Sequence, residues 1–127
     1  STIVIPDGIY ILSQPYYFQL DTGLNYSVMF NGKDIHLSDK NEFLINSRTR
    51  DGAQHIIETL MTKDSWTIQE IYNQKELSYY STDLVVMVEY LVEKGYILVD
   101  PVISKNDSIL HRNYKVDKQF IENEYGL

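Results

Sequence analysis

At Ser47 the spacing of apolar residues changes from every second residue to about every 3.6, and that switch divides the chain into a strand-forming front and a helical middle. In front of it, Ile9-Tyr10-Ile11-Leu12 and Tyr16-Tyr17-Phe18-Gln19-Leu20 are rich in β-formers, and Gln14-Pro15 between them forces a break or an edge. Asp21-Thr22-Gly23 is a turn signal. Tyr26-Ser27-Val28-Met29-Phe30 then meets Asn31-Gly32, the pair best suited to the positive φ of a type I′ turn, and continues into Asp34-Ile35-His36-Leu37. This is a β-hairpin. Ser38 to Asn41 is polar and breaks the ladder, after which Phe43-Leu44-Ile45 is either a further short strand or the lead-in to a helix.

Behind the switch, Ala53, Ile56, Ile57, Leu60 and Met61 share one helical face, which predicts a helix over 49–62 capped by Ser47 or Thr49, with Gly52 weakening its early turns. Asp64 or Ser65 is placed to cap a second, short helix carrying Ile68, Ile71 and Tyr72, with Glu70 near its N-terminal end. Gln74 to Tyr80 reads as a loop. Ser81 or Thr82 then caps a third helix with Leu84, Met87, Val88 and Leu91 as its buried stripe, stopped by Gly95. Tyr96-Ile97-Leu98-Val99 is a strand closed by Asp100-Pro101, and Ser104 to Ser108 turns the chain toward Ile109 to Val116, so that the pair forms a wing. Asp117 to Leu127 is a terminal helix or a linker.

The expected class is therefore α+β and winged-helix-like: an N-terminal antiparallel three-stranded sheet, three helices, then a short strand or wing. A recognition domain over 1–103 is expected, with 104–127 as a tail or the start of a linker.

The 127 residues suffice for one core, and 43% hydrophobic content suits a globular domain. No run of about 18 apolar residues exists to cross a membrane, and the start of the chain lacks the pattern of a signal peptide, so a cytoplasmic location and no membrane partner are expected. Eighteen acidic residues against eleven basic give a formal charge of -7, which repels phosphate backbones. The third helix adds Asp83, Glu89 and Glu93 against Lys94 where a base reader needs basic or amide side chains, so no nucleic-acid partner is expected. His36, His55 and His111 are scattered without a second ligand at metal spacing, there is no cysteine, no glycine-rich phosphate loop and no nucleophile elbow. No catalytic residue, cofactor or metal follows from these patterns.

Two stretches resemble a known family. Asp64-Ser-Trp-Thr-Ile-Gln-Glu-Ile71 is similar to its "D-G-x-x-T-x-x-E-I" link into the second helix, and Val88-Glu-Tyr-Leu-Val-Glu-Lys-Gly-Tyr-Ile97 to its "L-x-E-K-G-Y-L" ending. The family is the RiPP recognition element, the fold of the pyrroloquinoline-quinone biosynthesis protein D, and the variants most similar stand at the front of cyclodehydratases. Ser65 departs from it where glycine is usual, Ser38 to Asn46 looks inserted, and Ile109 onward has no counterpart.

What the resemblance implies is capture of the leader of a ribosomally made precursor peptide by β-strand addition, in a groove between the third strand and the third helix, for delivery to a separate peptide-modifying enzyme in antibiotic biosynthesis. On this sequence that strand is Lys33, Asp34, Ile35, His36 and Leu37, with Phe43 to Ile45 as the other choice. The helix contributes Asp83, Val86 and Tyr90, which share a face by spacing, although Val86 and Tyr90 are equally well read as core. A free sheet edge would also permit a homodimer. The alternative functions are a winged-helix DNA-binding domain and a protein–protein adaptor.

Overall fold

The computed structural model describes residues 15–19, 25–30, 33–38, 42–80, 83–100 and 112–125. Its elements are β1 (Tyr16–Gln19), β2 (Asn25–Phe30), β3 (Lys33–Ser38), β4 (Glu42–Ile45), α1 (Ser47–Leu60), β5 (Trp66–Thr67), α2 (Ile68–Tyr72), a 3-10 helix (Lys75–Tyr80), α3 (Leu84–Lys94), β6 (Ile97–Asp100), β7 (Asn113–Val116) and α4 (Lys118–Tyr125). The α+β, winged-helix-like class is the observed one. Its N-terminal strands, however, form two two-stranded ladders among the described residues rather than one three-stranded sheet.

The hairpin predicted around Asn31-Gly32 is present as β2 and β3, antiparallel from Asn25↔Ser38 to Phe30↔Lys33, with the two turn residues outside the described ones. Nested around it, β1 pairs antiparallel with β4 from Tyr16↔Ile45 to Gln19↔Glu42, so Phe43-Leu44-Ile45 is a strand. The strand expected at Ile9-Leu12, the turns at Asp21-Gly23 and Ser104-Ser108, and the caps expected at Ser81 or Thr82 lie outside the described residues.

The start of α1 is set by a reciprocal cap rather than by Ser47 or Thr49 alone. The Asn46 side chain accepts from the Thr49 amide at 3.2 Å, and Thr49 Oγ1 accepts from the Asn46 amide at 2.6 Å, satisfying two orphan donors at once. Ala53, Ile56, Ile57 and Leu60 then fall on one face with no measurable exposure. At about 1.5–3 kcal/mol for each large aliphatic side chain buried, that stripe outweighs the helix-weakening effect of Gly52. Gly52 is needed for a different reason: a Cβ there would stand 2.8 Å from both Met87 Sδ and Tyr80 Cδ1, so glycine lets α1 approach α3 and the 3-10 helix closely.

Helix α2 is capped not by Asp64 or Ser65 but by Thr67, in a box with Glu70 whose hydrogen bonds are 2.9 and 3.1 Å. That shift leaves Trp66 and Thr67 extended as β5, and the Trp66 indole donates to the Leu60 carbonyl at 3.0 Å, pinning β5 under the end of α1. Helix α3 ends at Gly95, whose φ of 91° admits the left-handed stop expected there. Beyond it lies the wing: β6 and β7 pair antiparallel, with Ile97↔Val116 and Val99↔Tyr114. Strand β7 falls in the segment read from sequence as a tail, yet it stands between β5 and β6 in a three-stranded sheet. Ile121 of α4 is fully buried, and Phe120 meets Tyr96 edge-on at 5.3 Å, so α4 closes the bottom of the core.

Candidate functional site

Helices α1, α2 and α3 with the sheet β5-β7-β6 make a winged-helix-like unit. Helix α3 is apolar on two faces. Leu84, Met87, Val88 and Leu91 enter the core, as their spacing predicts, and Tyr90 on the second face is 1% exposed. Phe18 and Tyr16 of β1 stand over the Tyr90 ring at 5.2 and 5.9 Å, and Phe43 of β4 backs Phe18 at 5.6 Å. The β1–β4 ladder thus covers the middle of α3. Burial raises the Tyr90 phenol above its ordinary pKa, and among the described residues its hydroxyl has no hydrogen-bond partner.

This arrangement separates the residues grouped from sequence. Lys33, Asp34, Ile35, His36 and Leu37 lie in β3, paired with Phe30, Met29, Val28, Ser27 and Tyr26 of β2. Tyr90 meets the rings of β1, so it is core rather than the wall of a groove, and half-buried Val86 packs against the same core. Asp83, the third helix residue of that set, forms an ion pair with Arg48 of α1. The runner-up strand, Phe43 to Ile45, is β4, paired with β1.

The surface at the start of α3 is built from α1 and the 3-10 helix together. The guanidinium of Arg48 binds the Asp83 carboxylate, donates from Nη2 to the Tyr79 carbonyl at 2.9 Å, and lies 5.0 and 5.5 Å from the ring centroids of Tyr79 and Tyr80. The hydrogen bond to Asp83 is the first cause of a raised Arg48 pKa, so the cation is permanent there. Tyr80 is buried, with its hydroxyl 3.3 Å from His55 Nδ1. Tyr79 is 70% exposed and meets Tyr80 edge-on at 5.0 Å.

A third cluster is absent from the sequence reading altogether. Glu89 Oε1 accepts from Arg112 Nη1 at 3.1 Å and from the Tyr114 hydroxyl at 2.8 Å, tying α3 to β7 with both charged side chains at most 3% exposed. Burial pushes the Glu89 carboxyl up, against the pull of Arg112 and both hydrogen bonds. The signal lay in the sequence: a lone carboxylate inside Leu84-Val85-Val86-Met87-Val88-Glu89-Tyr90-Leu91 must find a buried partner. Two of the three acidic charges weighed against nucleic acid are therefore neutralised, Glu89 by Arg112 in the interior and Asp83 by Arg48 at the surface. Glu93 remains, beside Lys94, whose Nζ sits 3.7 Å over the Tyr16 ring.

Leu60, Lys63, Asp64, Leu98, Lys115, Asp117 and Lys118 are among the residues that line a cleft of about 330 Å³. Among the described residues no group of three His, Cys, Asp or Glu is placed to hold a metal ion, and no helix is long and apolar enough to cross a membrane.

Residues 54–116 match a family described as a helix-turn-helix domain. The chain is 37% identical over 78 residues to the uncharacterized protein YgxA of Bacillus subtilis (strain 168), an alignment covering 61% of this chain and 26% of that protein. The chain thus spans about a quarter of the length of the curated relative it matches. No solved structure matches.

The helix-turn-helix match overturns the resemblance to the RiPP recognition element and, with it, leader-peptide capture, the peptide-modifying enzyme as partner and the exclusion of nucleic acid. The physical reason is visible in both motifs that carried the resemblance. Asp64 to Ile71 spans β5 and the Thr67–Glu70 box of α2, and Val88 to Ile97 spans the end of α3 with its Gly95 stop, so both encode the winged-helix core inside the matched span.

Proposed function

We propose that this chain is a winged helix-turn-helix module that contacts nucleic acid on behalf of a longer protein and carries no catalysis itself. The observation that carries the reading is the coincidence of the matched span, 54–116, with the second half of α1 and all of β5, α2, α3, β6 and β7. Contact falls at the 3-10 helix, the start of α3 and the wing, because the β1–β4 ladder occupies the middle of α3.

Fluorescence anisotropy of labelled duplex and single-stranded oligonucleotides, titrated with the 127-residue chain at two salt concentrations, tests this. Saturable binding that weakens with salt, with a slope of about -0.9 per phosphate contacted on duplex, is expected. Salt-independent or absent binding to every oligonucleotide would overturn it.

A second reading, contact with another protein surface, draws on the formal charge of -7 and on the exposed Tyr17 and Leu44 of the β1–β4 ladder. Its mark in the same experiment is indifference to nucleic acid.

A further inference from the structure

Tyr79 is the most exposed of the large apolar side chains described, at 70%, ahead of Tyr17, Leu98 and Leu44. A tyrosine left this open is ordinarily loose, and this one is not. Its carbonyl is held by Arg48 at 2.9 Å, and its ring is set at 87° to that of Tyr80. Tyr80 in turn is fixed by burial, by His55, and by the missing Cβ of Gly52. The same Arg48 guanidinium spans both rings and cancels the Asp83 carboxylate that would otherwise repel a phosphate. The result is a positioned aromatic surface beside the charge-balanced Arg48–Asp83 pair, and ordering it costs a ligand little because the fold has already ordered it.

Unpaired nucleobases bind such surfaces by stacking, with arginine contributing to the π-face and to the backbone, whereas bases inside a duplex have both faces occupied. We infer that Tyr79, held by Arg48, is a stacking site for an unpaired base of single-stranded nucleic acid, a deepening that rests on the nucleic-acid reading above.

The test is anisotropy with a labelled single-stranded oligonucleotide and a duplex of the same sequence, against the wild-type chain, Tyr79→Ala and Tyr79→Phe. Stacking of one base on an aromatic ring predicts an affinity for the single strand about ten- to a hundred-fold lower in Tyr79→Ala, retention in Tyr79→Phe, and a preference of the wild type for single strand over duplex. Thermal melts of the variants, expected near that of the wild type because the ring is exposed, separate lost stacking from lost folding. If the wild type binds neither oligonucleotide, the nucleic-acid reading fails. If it binds nucleic acid but prefers duplex, or if folded Tyr79→Ala binds single strand as well as wild type, the stacking site alone is overturned.

Discussion

Replacing Arg112 with alanine should be among the most damaging single changes to this fold. The guanidinium is 3% exposed and faces a Glu89 carboxylate that is 1% exposed, so its loss strands a charge in the interior. Removing one partner of a buried ion pair costs about 3–5 kcal/mol, a large share of the roughly 5–15 kcal/mol that holds an ordinary domain together. Part of that cost is relieved by protonation. Burial already raises the Glu89 carboxyl, and Arg112 is the first influence opposing the rise. A carboxyl raised on folding contributes its stability below its unfolded pKa and loses it as pH rises through the folded value, so the deficit of Arg112→Ala is larger at about pH 7 than at about pH 5. Urea unfolding followed by the fluorescence of Trp66, the chain's only tryptophan and a buried one, measures both effects. The double change Glu89→Leu with Arg112→Met removes both charges and should recover most of the loss. The reasoning is refuted if Arg112→Ala unfolds within about 1 kcal/mol of wild type, below the range for a buried pair, or if the double variant is no more stable than the single.

Gly95→Ala forces a side chain onto a φ of 91° and sets its Cβ 3.1 Å from Phe120, so a loss of at least about 1–2 kcal/mol is expected in a thermal melt, and an unchanged midpoint would contradict it. Glu70 is held at about 2 by Lys63, 2.5 Å away, and by the Thr67 amide, so it stabilises the fold above its unfolded pKa and the contribution fades as pH falls through about 2. A carboxyl NMR titration should show that low midpoint and its rise in Lys63→Ala; an ordinary midpoint with Lys63 in place would show the ion pair to be absent in solution.

Elements governed by neighbouring residues were legible in the sequence. Asn31-Gly32 between alternating runs marks β2 and β3, the Ile56, Ile57 and Leu60 stripe marks α1, and Gly95 marks the end of α3, because each signal acts within a few residues. What escaped depends on partners far along the chain. Strand β5 has two residues and no period to read, and it exists because Tyr114, 48 positions after Trp66, pairs with it. The 3-10 helix at Lys75–Tyr80 reads as a loop because six residues, about two turns, are too few to show a helical period. At the site, spacing sets Asp83, Val86 and Tyr90 on a shared face, but it cannot tell an open groove from one occupied by Tyr16 and Phe18.

The placement of β7 between β5 and β6 also sets an order of events during synthesis. The three helices all precede β7 in the chain, but β5 and β6 do not hydrogen-bond to each other. Each waits with an open edge until Asn113 to Val116 emerges and inserts between them, bringing Arg112 to Glu89 in the same step. A nascent chain halted before that point would lack the partner strand of both β5 and β6 and the cation of Glu89, and is expected to associate more readily than the finished unit.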